Sequence, residues 1–130
     1  MKMNSQKRQE LNQLHAFLDQ NAANLPAIDQ AAMLLLQKGF PLEQALKAYQ
    51  NYLERQPSSP NAAYNFAWYL ARDGQFESAI RWYQHALERG IDQPEEVHLN
   101  IGNIYMDHLR DNKKARKEFE AALASNPDYP

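Results

Sequence analysis

The chain has no cysteine and only four glycines in 130 residues. Without cysteine there is no disulfide framework, no thiolate metal site and no thiol nucleophile. That absence permits a cytoplasmic setting without requiring one. Glycines at positions 39, 74, 90 and 102 lie too far apart to build a phosphate-cradling loop. Charge of one sign is also lacking. Fourteen Lys and Arg against sixteen Asp and Glu leave a net charge of −2, so no global basic field invites nucleic acid or an anionic membrane. Long apolar runs are missing too: the longest, Ala31 to Leu36, is far shorter than a membrane span. The start of the chain, Met1-Lys-Met-Asn-Ser-Gln-Lys-Arg8, runs into polar residues, which argues against a secretory signal. No segment alternates with a period of two, so no strand is expected.

What is present is helix. Hydrophobic residues make up 44% of the chain and charged residues 23%, ordinary for a folded domain with a real core. The pattern predicts seven helices. The first runs over about Ser5 to Gln20, with Leu11, Leu14, Phe17 and Leu18 on one stripe, and the second over about Ala27 to Lys38, stopped by Gly39. Pro41 suits the first turn of the third, which ends near Arg55. Ser59 caps the fourth with Pro60 behind it, and Gly74 ends it. The fifth carries Phe76, Ala79, Ile80, Tyr83, Ala86 and Leu87 up to Gly90. Asp92 and Glu95 resemble a capping box for the sixth, and Asp111 caps the seventh, which ends before Asn126-Pro127.

Three stretches share one form, Ala-x3-aromatic: Ala45 to Tyr49, Ala79 to Tyr83 and Ala115 to Phe119, at steps of 34 and 36 residues. Ala67, Gly102, Ala79, Ala115, Ala86 and Ala122 are small where two helix backbones must approach, with Tyr83 and Phe119 filling the space beside them. A two-helix unit recurring at about 34 residues resembles the tetratricopeptide repeat. The likeness is strongest over 60–93 and 94–130. It is weaker over 26–59, where Leu36, Ala45, Tyr49 and Pro57 fit but Met33 stands where a small residue is usual. Residues 1–25 read as a half repeat or capping helix. The turn between Tyr105 and Ala115 is one residue longer than in the other copies.

That resemblance implies an all-α fold of antiparallel helix pairs in a right-handed superhelix, forming a single domain over 1–130. It also implies a protein-interaction scaffold whose first helices line a concave groove. Carried over, the groove presents Tyr64, Asn65, Trp68 and Arg72, then Glu96, Leu99, Asn100, Asn103 and Asp107, with Gln30, Leu34, Gln37 and Lys38 from the first repeat. Asn65 and Asn100 occupy equivalent positions, and an amide that both donates and accepts can grip a peptide backbone. Tyr64 and Trp68 offer a flat apolar surface for an anchor side chain. The alternative is that these asparagines bond only within the array. The lysine and arginine set that some family members use on a C-terminal carboxylate is not reproduced.

Other chemistry finds little footing. His15, His85, His98 and His108 show no four-residue pairing for a metal, so neither metal nor cofactor is expected. Lys113, Lys114, Arg116 and Lys117 read as a solvated helix face paired internally with Glu118 and Glu120. Trp82 reads as packing between repeats. The expected partner is a protein or peptide, with no nucleic acid and no membrane, and the expected compartment is the cytoplasm. Phe119, Ala122 and Leu123 suggest an uncovered face on the last helix, hence a homodimer or a fragment of a longer chain. Ile104 to Arg110 is similar to repeats found ahead of the catalytic domain in some bacterial sulfotransferases. This leaves open a docking region of a larger enzyme that is not catalytic by itself, or a structural self-association module.

Overall fold

A computed structural model describes residues 3–128 of the chain. Among the described residues there are seven helices and no strand: α1 Ser5–Gln20, α2 Leu25–Gln37, α3 Glu43–Arg55, α4 Pro60–Arg72, α5 Phe76–Glu88, α6 Pro94–Asp107 and α7 Asn112–Ser125. They gather into two compact units that divide after Pro57. The first holds α1, α2 and α3, each packed on the other two. The second holds two helix pairs, α4 on α5 and α6 on α7, joined where α5 meets α6.

The helix ends follow from local chemistry. Side chains of Asn4, Asn24, Ser59 and Asp111 accept first-turn amides of α1, α2, α4 and α7, the last two at 3.2 and 3.0 Å. At the end of α4 the Gln75 amide returns to the Leu70 carbonyl and the Gly74 amide to that of Ala71, with Gly74 at φ +82°, a conformation that a β-carbon resists. Helices α2 and α5 close in the same way at Gly39 and Gly90.

Two expected starts differ. Pro41 lies before α3, not in its first turn, because Leu42 is the residue whose carbonyl takes the first helical amide. The Asp92–Glu95 capping box does not form. The N-cap of α6 is Gln93, and no side chain caps it.

The register of the first repeat also needs correction. Ala32, not Met33, is the small buried residue, while Met33 is 39% exposed. Leu35 is buried in place of Leu36. Ala32, Ala67 and Gly102 then stand thirty-five residues apart, and the distance from each to the next helix's alanine is 13, 12 and 13. The first repeat therefore shares the longer turn of the third, its extra residue accommodated between Gly39 and Leu42.

The core of the second unit is built on small residues under aromatics. Ala67, Ala79 and Ala86 are fully buried and Tyr83 is 1% exposed. A β-carbon on Gly102 would come within 2.4 Å of the Phe119 ring. Ala122 is buried and Phe119 half-buried against Gly102, so of the three residues expected to be open on α7 only Leu123 is exposed. Trp82 meets Phe66 at 5.2 Å, within its own repeat. No helix is long and apolar enough to cross a membrane among the described residues.

Candidate functional site

Tyr64, Trp68 and Arg72 recur every four residues along α4, so they form one stripe, with Asn65 beside it. On α6, Leu99 and Asn103 are likewise four apart, and Asn100, Asn103 and Asp107 follow at steps of three and four. The two stripes meet where Asn100 Nδ2 donates to the Tyr64 hydroxyl at 2.9 Å. Tyr64 is held on a second side by Tyr83, whose ring meets it edge-on at 5.5 Å. Burial pushes the Tyr64 hydroxyl above the usual tyrosine range. The Asn100 bond works against that shift, Glu96 adds to it and Arg72 opposes it. Burial raises Tyr83 further still, with Tyr64 as the second cause.

Farther along α4, the Arg72 guanidinium sits over Trp68, its Cζ 3.2 Å from the ring centroid. Its Nη1 also donates to the Trp68 carbonyl at 3.4 Å. Trp68 packs edge-on against Tyr69 at 4.9 Å. Trp68 is therefore not a bare apolar shelf, because one of its faces carries a cation. Asn65, Leu99, Asn100 and Asn103 are half-buried and Asp107 is exposed. Toward the start of α4 and α6 a cavity of about 370 Å³ is lined by Asn61, Tyr64, Ile91, Asp92, Gln93 and Glu96.

In the first unit Gln30, Leu34, Gln37 and Lys38 are exposed. Leu34 and Lys38, with Leu14, Phe17 and Ala31, line a cavity of about 360 Å³ where Lys38 pairs with Glu10 at 3.3 Å. Here Tyr49, the counterpart of Tyr83, donates to Asp29 at 2.6 Å. An aromatic of the second helix thus reaches the first helix's stripe in both units. That feature was legible in the Ala-x3-Tyr repeat, but packing alone was read from it.

Three of the four histidines serve packing and pairing. His98 meets Glu118 at 3.0 Å, His108 stacks on Phe76 at 4.0 Å, and His85 meets Arg89 at 2.9 Å. Because Glu118 turns to His98, the expected Lys114–Glu118 pair does not form, and Lys114 sits over Tyr105 instead. Lys113, Lys114, Arg116 and Lys117 are all exposed.

Two models of the tetratricopeptide repeat match the chain, one over residues 30–94 and the other over 95–129. Among solved structures, the crystal structure of MamA is similar with a TM-score of 0.70 at 16% identity, covering 98% of this chain and 77% of that one. At that identity the likeness is one of fold. Curated protein sequences gave no match.

Proposed function

The chain belongs to the tetratricopeptide repeat family, and from that premise we propose that it binds an extended protein segment on the face shared by α4 and α6. The observation that carries this reading is the Asn100–Tyr64 bond, which sets the two side-chain stripes on one surface. Half-buried amides at Asn65, Asn100 and Asn103 lie along it. An amide can donate to a peptide carbonyl and accept from a peptide N–H, so it holds a backbone with little regard to sequence. The Asn100 donor that reaches Tyr64 leaves its second N–H and its carbonyl oxygen. The asparagine can therefore bond within the array and face a ligand at once.

Partner capture from source-cell lysate tests this with three folded proteins. They are wild type, an Asn65→Ala/Asn103→Ala variant, and a control with Arg81→Ala/Gln84→Ala on the exposed side of α5. The expected result is one or more species held by wild type and control and lost from the asparagine variant. Equal recovery by all three would remove this face from the account.

A further inference from the structure

Among the described residues, the α4–α6 face holds a cation with no counter-charge. Arg72 is stacked on Trp68, and the groups that act on its charge are its own burial and then Tyr83, Tyr64 and Tyr69, with no carboxylate among them. The nearest acid in sequence, Asp73, accepts instead from Gln75 at 2.8 Å. Among the described residues, of the five guanidinium N–H groups only the Nη1 contact to the Trp68 carbonyl is engaged, and that contact is long, at 3.4 Å.

We propose that Arg72, backed by Trp68, is an anion subsite that receives a single side-chain carboxylate, Asp or Glu, of the segment bound on this face. This rests on the binding face proposed above and adds the chemistry of its ligand. Stacking on the indole holds the guanidinium plane in place, so less side-chain freedom is lost when a carboxylate docks. The planar fork matches a carboxylate in a bidentate geometry, and charge-assisted bonds of this kind are the stronger class. The charge count selects the occupant. One guanidinium balances one carboxylate, whereas a phosphate carries nearly twice that charge and calls for a cluster of cations. A run of acids is disfavoured as well. About 12 Å along α4, at a rise of about 1.5 Å per residue, Tyr64 borders the cavity that Asp92 and Glu96 line. A second carboxylate there would meet like charge.

The test is an array of randomised nine-residue peptides, acetylated and amidated so that neither end is charged, probed with wild type, Arg72→Lys and Arg72→Gln. Arg72 is exposed, so the variants should fold, and circular dichroism checks that they do. Wild type is expected to select peptides with one Asp or Glu. Changing that residue to Asn or Gln should weaken binding about five- to tenfold, the scale of one charge-assisted contact at a partly exposed site. Arg72→Gln should bind the same peptides without the acid preference, and Arg72→Lys should keep part of it. Binding with no acid preference, or a preference that survives Arg72→Gln, overturns the subsite and leaves the face standing. Companion arrays carry free C-termini or phosphoserine, and selection only on those overturns the choice of occupant. If wild type binds no peptide in any array, the face itself is overturned and the subsite falls with it.

Discussion

Gly102 has no room for a β-carbon. The Phe119 ring of α7 occupies that space, and an added methyl would lie within 2.4 Å of it. Two effects of Gly102→Ala oppose each other. Alanine is the better helix former by about 1 kcal/mol, while forcing a methyl into a filled contact costs about 1–3 kcal/mol. Overpacking wins because the obstacle is an aromatic ring wedged between two helices and not the end of a flexible chain. Gly102→Ala should therefore lower stability by about 1 kcal/mol in urea unfolding. In a Phe119→Leu background the clash is relieved and the same change should become stabilising. A double-mutant cycle with no coupling between the two positions would show that the ring does not govern the glycine. The same scale shows what the sequence disclosed of the site. Trp68 and Arg72 are four apart on a helix, a spacing that places a cation over an aromatic. The signal was in the letters, but a groove reading assigns each side chain to the ligand and overlooks bonds between neighbours.

Element boundaries were largely legible because residue type dictates them. Ser59 and Asp111 cap with their own oxygens, and Gly74 supplies the positive φ that ends α4. Where residue type is degenerate the reading slipped. Ala31-Ala32-Met33 offers two small residues in a row and Leu34-Leu35-Leu36 three leucines, so composition could not say which faces inward. The turn length decides that, and its extra residue between Gly39 and Leu42 is visible only once the helices are placed. The third repeat solves the same problem differently. After α6 the Asp111 amide returns to the Tyr105 carbonyl across six residues, against five after α4, and the turn closes with Arg110 at φ +56°. A non-glycine residue in the left-handed region costs about 1–2 kcal/mol. Arg110→Gly removes that strain but adds unfolded-chain entropy worth about 0.5–1 kcal/mol, so it should raise the melting temperature slightly. Arg110→Val, with a branched β-carbon, should lower it clearly. If valine melts no lower than arginine, this turn does not require the left-handed conformation.

The whole chain should be sensitive to alkali, and the cause lies in its buried tyrosines. Tyr83 is 1% exposed and its hydroxyl is raised above the usual tyrosine range, chiefly by burial. Tyr64 is raised in the same direction, also chiefly by burial. Below about pH 10 both residues are protonated whether the chain is folded or not, so neither makes stability depend on pH. Above that value the unfolded chain loses these protons while the folded chain keeps them. The folded state then binds more protons than the unfolded one, and stability falls as pH rises. Tyr83 contributes a slope of up to about 1.4 kcal/mol per pH unit between its unfolded and folded values, and the more exposed Tyr64 acts in the same direction. Urea midpoints should thus be insensitive to these two residues from neutral pH to about 10 and then drop steeply. Tyr83→Phe cannot ionise and should flatten the drop, the more so because its ring still fills the space beside Ala79 and Ala86. A drop of equal steepness in that variant would place the alkaline sensitivity elsewhere. If Tyr83 is responsible, the same residue whose ring packs against Tyr64 beneath the proposed binding face also sets the upper pH limit of the fold.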